Sequence, residues 1–288
     1  MATHAVTGAS SFTGRFIAQR LIGAGQQVRD LTRADLAGPG RMRAALEGSD
    51  TLYNTFWIRF ERGPITYDWA IERSRMLFDA ARNAGVRRIV HLSVINASRV
   101  APTAYFRAKA VVEEALVARG VGHAIVRPTV TFGPGDILVN NLAWTLRHLP
   151  AFGIPGDGRY PIQPVHVEDV AGAAVRAGSM AESVTLDVGG PDIFTFNEFV
   201  ALVRRAIGSR ALIVHLPVTA SLAAARVIGL AVRDVVLTRH EVTELQEHLM
   251  FSTQPPAGAI GLGEWLSANA DSLGRHWASE LDRHYRSR

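Results

Sequence analysis

The chain has 288 residues and no cysteine, and only one of its thirty-one lysine and arginine side chains is a lysine. Without cysteine it can form neither a disulfide framework nor a thiolate metal site. No N-terminal stretch combines the charged start, apolar middle and small-residue cleavage site of a signal peptide. Internal repeats and low-complexity runs are also missing from the sequence. We therefore expect a cytoplasmic globular protein, either one large domain or a main domain with a smaller annex.

Neither a membrane nor a nucleic acid is predicted as a partner. The apolar run LAAARVIGLAVRDVVL contains Arg226 and Arg233, which a membrane span would place at hydrocarbon depth, so we interpret it as a core helix. The net charge of +5 would suit a polyanion, but the arginines alternate with acids and no zinc or recognition-helix pattern is present. A small-molecule substrate is the better expectation.

The N-terminal segment HAVTGASSFTGRFIAQRLIGAGQQVRDLTR predicts a strand, a small-residue turn, an amphipathic helix and a second strand. Glycines in such a turn allow the pyrophosphate of a dinucleotide to approach the N–H groups at the helix start. Gly8 and Gly14 fill the outer positions of a T-G-x-x-G-x-x-G pattern, with Ser11 in the middle. Ser11 keeps its backbone N–H, and a hydroxyl can donate to phosphate. The alternative is a turn without a ligand; the candidate cofactor-binding residues are Gly8, Ser10, Ser11, Phe12, Thr13 and Gly14.

The end of the second strand should decide which dinucleotide binds. An acid there accepts from the ribose 2′-hydroxyl, whereas a basic group suits a 2′-phosphate. Arg33 follows the strand, and its guanidinium can grip a phosphate with two donors, so we predict a preference for NADP(H). Asp30 and Asp35 keep NAD(H) open, and Arg33 could also be an ordinary solvated arginine.

Tyr105 and Lys109, the single lysine, are four residues apart in the helical stretch AYFRAKAVVEEAL and therefore share one helix face. A nearby cation favours the phenolate of a tyrosine. The compact ammonium of a lysine can also reach ribose hydroxyls, which the planar fork of arginine does less well. The pair predicts proton transfer, although Y-x-x-x-K also occurs by chance.

Five segments carry a resemblance to a known family: the T-G-x-x-x-x-x-G turn, RRIVHLS, YFRAK, VRPTVTFGPGD and PVHVEDVA. Their order resembles the short-chain dehydrogenase/reductases. The chain looks most similar to the extended and atypical branch, which is NAD-dependent epimerase/dehydratase-like and includes the nucleotide-binding accessory subunit of respiratory complex I. VGGPDIFTFNEFVALV and RDVVLTRHE resemble the C-terminal half of the same branch. The branch includes members that bind the cofactor without turning it over.

The resemblance implies a role for each matching residue. Tyr105 would be the general acid or base, and Lys109 would bind the ribose and tune the tyrosine. Phe12 would pack beside the pyrophosphate, and Pro128 would shape the nicotinamide side. The other residues that would line the cofactor are Asp35 and Leu36, near the adenine, and Asn54, Thr55 and Phe56, which end the strand TLYNTF.

Two departures from the family pattern affect these expectations. The catalytic serine would fall near Ile95, so Ser93 becomes the candidate catalytic and cofactor-contacting hydroxyl, with Ser98 as the alternative. Without that donor, hydride transfer loses stabilisation on the order of 3 kcal/mol. ADLAGPGRMRAALEGSD also follows the second strand directly, so the sheet should lack one edge strand and its helix.

We therefore predict an α/β fold with a doubly wound, mainly parallel Rossmann sheet and a smaller C-terminal substrate lobe. The dinucleotide-binding domain should span 1–133 plus parts of 160–190, and the lobe 134–160 and 190–288. His166 and Asp169 join a strand end to a helix start, where an aspartate can act as a cap, so we expect no metal. A homodimer built from the helices at ITYDWAIERSRMLFDAARNAG and AYFRAKAVVEEALVARG is expected from the resemblance.

The predicted activity is NAD(P)H-dependent oxidoreduction of a carbonyl or alcohol. The aromatic residues Phe56, Trp57, Phe60 and Trp144 favour an apolar or cyclic substrate, although such residues more often belong to a core. Epimerisation or dehydration through a transient keto intermediate uses the same groups. The remaining alternative is a protein that binds NAD(P) as a sensor or assembly factor without catalysis.

Overall fold

The computed structural model describes residues 1–285. Its strands are β1 (Thr3–Thr7), β2 (Gln27–Leu31), β3 (Thr51–Asn54), β4 (Arg88–Leu92), β5 (Gly122–Pro128), β6 (Val130–Phe132), β7 (Ala151–Pro155), β8 (Pro161–Ile162), β9 (Pro164–His166), β10 (Val184–Val188), β11 (Phe194–Thr195) and β12 (Leu212–Leu216). Its helices are α1 (Phe12–Gly23), α2 (Pro39–Leu46), α3 (Tyr67–Asn83), α4 (Ala104–Val117), α5 (Leu138–His148), α6 (Val167–Gly178), α7 (Phe196–Ala206), α8 (Val218–Val232), α9 (Arg239–Gln246), α10 (Leu262–Asn269) and α11 (Glu280–His284).

The first of two compact units comprises Met1–Thr129 and Val167–Val188. Its six strands pair in parallel in the order β10-β5-β4-β3-β1-β2. All residues of β3 and β4 are buried, as expected when helices cover both faces of a parallel sheet. The predicted doubly wound parallel sheet is confirmed.

The connection between β2 and β3 is short, as expected from the predicted absence of one edge strand and its helix. After Leu31 only a 3-10 turn at Asp35–Ala37 and the short α2 precede β3, so β2 forms the edge of the sheet. Helices α2, α3 and α4 pack side by side, and α1 packs on α6. Thr66 is the N-cap of α3, and its hydroxyl accepts a hydrogen bond from Trp69 N.

The second unit comprises Val130–His166 and the chain from Gly189 onward. It contains three two-stranded sheets, with β8 and β11 antiparallel, β7 and β12 parallel, and β6 and β9 parallel. Phe132, Leu146 and Phe199 are among its fully buried core residues. The cofactor and substrate roles assigned to the two parts of the chain remain predictions.

The interpretation of LAAARVIGLAVRDVVL as a core helix is wrong. The segment lies mostly in α8, where only Ser221, Ala225 and Gly229 are buried. Hydrophobicity alone could not reveal that one face of the helix packs while Val227 and Leu230 lie exposed. Within residues 1–285, no helix has both the length and the apolar character required to cross a bilayer.

Candidate functional site

The glycine turn after β1 has the geometry of a phosphate-binding turn. Gly8 adopts φ +62°, and a Cβ added at Gly14 would lie 2.1 Å from the Gly8 carbonyl oxygen, so the turn requires both glycines. The Ser11 hydroxyl caps α1 by accepting from Gly14 N at 3.2 Å. Among the described residues, the backbone N–H groups of Phe12 and Thr13 have no acceptor. These two donors at a helix start fit an anionic pyrophosphate.

The end of β2 and the turn that follows it carry two hydrogen-bonded acids, Asp30 and Asp35, and one exposed base, Arg33. Asp30 accepts from Ala9 N at 2.7 Å and so braces the glycine turn. Asp35 accepts from the backbone N and the hydroxyl of Thr32, at 2.8 and 2.7 Å, and these bonds lower the pKa of its carboxyl. The side chain of Arg33 is exposed, as a guanidinium that meets a phosphate must be.

Leu36 is half-buried and packs against the core beside α2 and α3. Its placement beside the adenine therefore stays a prediction.

Hydrogen bonds join the ends of β1 and β3. The Thr7 hydroxyl donates to Asn54 Oδ1 at 3.2 Å and accepts from Thr55 N at 2.7 Å. Phe56 N donates to Asn54 Oδ1 at 3.1 Å. Because the Asn54 side chain is fully buried within these bonds, it fixes the strand ends rather than presenting a polar group to the cofactor. Thr55 and Phe56 are half-buried.

His91 in β4 belongs to this network and was missed by the sequence analysis. Its Nδ1 lies 3.0 Å from Asn54 Nδ2, which places its ring proton on Nε2. Burial, followed by the charge of Lys109, holds the pKa of His91 well below its ordinary value. The available signal was a polar residue inside the apolar strand RRIVHLS.

Lys109 is buried, with 2% of its surface exposed, on the helix face that also carries Tyr105. Its Nζ donates to the Leu92 carbonyl oxygen at 2.9 Å, at the carboxyl end of β4. The ammonium also lies 4.5 Å from the centre of the Trp57 ring. Burial lowers the pKa of Lys109 to about 7, opposed by the nearby Glu113 carboxylate. The group can therefore exchange a proton near neutral pH.

The Glu113 carboxylate, one turn beyond Lys109, pairs with Arg127 through two hydrogen bonds. This pairing leaves the Lys109 ammonium with a backbone carbonyl and an aromatic face as its contacts.

Aromatic rings surround Tyr105. The Trp57 indole meets the Tyr105 ring edge-on at 6.2 Å, and Tyr67 does so at 6.1 Å. Trp57 and Tyr67 stack at 6.3 Å with 16° between their planes. An apolar surface therefore borders the phenol, and its link to Trp57 could not be derived from the sequence.

The positions that the family pattern assigns to the missing serine lie at the end of β4. Ser93 N donates to Val126 O, and its buried hydroxyl has no partner among the described residues. Ile95 is buried, with its N–H donating to the Pro128 carbonyl oxygen at 3.0 Å. Ser98 accepts from Val100 N at 3.3 Å. Of the two candidate hydroxyls, only that of Ser93 is buried and unpaired.

Within residues 1–285, no three histidine or acidic side chains lie together in an arrangement that could hold an ion. His166 ends β9, and Asp169 lies in the first turn of α6.

Comparison with solved structures supports the fold. The NADPH-dependent quinone oxidoreductase QOR2 of Escherichia coli, complexed with NADPH, aligns with TM-score 0.71 and 19% identity, covering 92% of this chain and 99% of its own. The Citrobacter triphenylmethane reductase complexed with NADP(H) aligns with TM-score 0.70 and 18% identity, covering 93% and 99%.

Sequence relatives and a family model also match this chain. The mitochondrial NADH dehydrogenase [ubiquinone] 1 alpha subcomplex subunit 9 of Arabidopsis thaliana is 26% identical over 227 residues, which cover 69% of this chain. The chain spans only 56% of that relative's length. A model of the NAD dependent epimerase/dehydratase family matches residues 4–189. Since that match covers more than half of the chain, the protein belongs to the NAD-dependent epimerase/dehydratase family.

Proposed function

We propose that the protein is an NADP(H)-dependent oxidoreductase that interconverts a carbonyl and an alcohol, with Tyr105 as general acid and base. The observation that carries the proposal is the buried Lys109, which lies one helical turn from Tyr105 and has a pKa lowered to about 7. A lysine that served only structure would be replaceable in a chain whose other basic residues are all arginine.

Tyr105 gives its phenolic proton to the carbonyl oxygen in the reducing direction and takes it back in oxidation. The Lys109 ammonium stabilises the phenolate that remains. The buried Ser93 hydroxyl is the second donor to the developing alkoxide. When bound, the nicotinamide supplies or accepts the hydride.

The cofactor is held by the first turn of α1 and the residues after β2. The free N–H groups of Phe12 and Thr13 receive the pyrophosphate, and exposed Arg33 receives a 2′-phosphate. NADP(H) is therefore preferred over NAD(H). The two solved structures described above were determined with NADPH and NADP(H).

The substrate is apolar or cyclic. Trp57 is half-buried and meets the Tyr105 ring edge-on, so a planar ring can pack where the proton is transferred. The two structural neighbours are named as a quinone oxidoreductase and a triphenylmethane reductase, which agrees with this substrate class.

The test follows NADPH absorbance with a panel of ketones, enones and quinones. Tyr105→Phe should abolish turnover while NADPH still raises the melting temperature. Tyr67→Phe is the matched control, because its phenol donates to the Arg59 carbonyl oxygen and lies in the same aromatic group. Turnover by Tyr105→Phe at the wild-type rate would exclude Tyr105 from the mechanism.

A cofactor-binding protein without catalytic activity is the second candidate. Two observations favour it. The Trp57 ring covers the Lys109 ammonium, and the buried Ile95 occupies the position where the family pattern has its catalytic serine. The curated relative, a subunit of NADH dehydrogenase, is compatible with such a role. Tight NADPH binding with no turnover across the panel would support this candidate. Epimerisation or dehydration would appear as substrate conversion without net oxidation of NADPH.

A further inference from the structure

Helix α8 is covered on one face only. Its buried residues, Ser221, Ala225 and Gly229, are spaced one turn apart and form a small-residue face where the helix packs against β7 and β12. On the outer face, Val227 is 68% exposed and Leu230 is 75% exposed. The other exposed residues of the helix are Thr219, Ala220, Ala223, Ala224, Arg226 and Ala231.

This composition is unusual for a surface helix. Arg226 is the only charged residue in Val218–Val232, so the helix is apolar around nearly its whole circumference, a pattern that normally indicates burial. By contrast, α3 exposes charged side chains such as Asp68, Glu72 and Arg75. Among the exposed side chains of α8, only those of Thr219 and Arg226 are polar.

The chain segment that contains α8 carries positive charge only. The thirty-five residues from Phe199 to Arg233 contain five arginines and no acid. Arg226 and Arg233 are exposed, and within residues 1–285 neither forms an ion pair. Leu212, on the neighbouring β12, is 65% exposed and adds apolar surface to the same acid-free stretch.

We propose that the outer face of α8 binds the surface of an anionic lipid bilayer. A helix that lies in the interface buries an apolar face at the acyl boundary while its arginines contact lipid phosphates, and both features are present here. A helix of this length would lie along about 22 Å of the surface. A second copy of the chain fits less well, because pairing two such helices would bring the exposed arginines of both copies together. This site is independent of the proposed oxidoreductase activity and replaces the expectation of no membrane partner.

The test is flotation of the full-length protein with vesicles of phosphatidylcholine, alone or mixed with phosphatidylglycerol. The wild type should float with the anionic vesicles, less with neutral ones, and less at high salt. The double variant Val227→Ser, Leu230→Ser should lose about tenfold or more in vesicle affinity, because both side chains supply buried apolar area. Arg226→Glu should weaken binding to anionic vesicles only.

Ile22→Ser is the matched control, because Ile22 is 61% exposed on α1 in the other unit. It should float like the wild type, and unchanged melting temperatures would show that the variants are folded. The proposal is overturned if the wild type does not bind anionic vesicles, or if the double variant binds them equally well. It is also overturned if sedimentation velocity shows that the outer face of α8 instead joins two copies of the chain.

Discussion

The ammonium of Lys109 lies 4.5 Å from the centre of the Trp57 ring while it donates to the Leu92 carbonyl oxygen. The Trp57 indole thus contacts the Lys109 ammonium, which in the proposed chemistry stabilises the Tyr105 phenolate. One carbonyl oxygen and one aromatic face do not replace the water that burial removes from the ammonium, which explains why burial lowers the pKa of Lys109 to about 7.

The first prediction is that removing the indole raises the pKa of Lys109. Because the chain has one lysine, protein labelled with ¹³C-lysine gives a single side-chain ε-carbon signal, whose pH titration by NMR measures this pKa directly. The wild type should titrate near 7 and Trp57→Ala closer to the ordinary 10.5, since water would reach the ammonium. Trp69→Ala is the control, because the Trp69 ring lies beside Arg73 instead. Identical titrations of wild type and Trp57→Ala would refute this role of the indole.

The second prediction concerns stability against pH. The pKa of Lys109 is lower in the folded state than in the unfolded state, so between pH 7 and 10 the unfolded chain binds more protons and stability rises with pH. From pH 7 to pH 9 this one group should add about 2 kcal/mol to the free energy of unfolding. Lys109→Met should remove that rise.

Urea denaturation at pH 7, 8 and 9 would measure this rise in the free energy of unfolding. The Asp136 carboxyl, whose pKa burial raises to about 7, also titrates at the lower edge of this window, but it is present in both proteins and so cancels in the comparison. Parallel profiles for wild type and Lys109→Met would show that the lysine is protonated to the same extent in both states.

Local features of the site could be predicted from the sequence. The turn at Gly8 and Gly14 and the shared helix face of Tyr105 and Lys109 each depend on residues at most six positions apart in the sequence. The shortened connection after β2 followed from the number of residues between recognisable segments.

Long-range packing could not be predicted. Trp57 reaches Lys109 across fifty-two positions, and His91 reaches Asn54 across a strand pairing whose side-chain contacts no local pattern specifies. Helix α8 illustrates the same limit, because an apolar helix and a buried helix have the same sequence signature until its neighbours are known.

The third prediction concerns the two glycines of α1, Gly14 and Gly23, which have different surroundings. Gly14→Ala places a Cβ 2.1 Å from a backbone oxygen, so it should destabilise the fold by about 1–3 kcal/mol and weaken dinucleotide binding. Gly23→Ala, at the end of the same helix, meets nothing within 4 Å and should leave binding unchanged while stabilising by up to about 1 kcal/mol. Thermal melts with and without NADPH report both effects. Equal behaviour of the two variants would contradict the close approach at Gly14.

The last prediction tests cofactor selectivity at the end of β2. Asp30 and Asp35 accept hydrogen bonds from Ala9 N and from Thr32, and the exposed Arg33 follows β2, so we expect its guanidinium to meet the 2′-phosphate. Titration calorimetry should give a lower Kd for NADPH than for NADH. Arg33→Asp should weaken NADPH binding by about 10- to 100-fold, which is equivalent to the loss of one charged hydrogen bond, and should leave the Kd of NADH almost unchanged. The same charge reversal at exposed Arg75 on α3 should alter neither Kd. If Arg33→Asp weakens both cofactors equally, the 2′-phosphate is bound elsewhere or not at all.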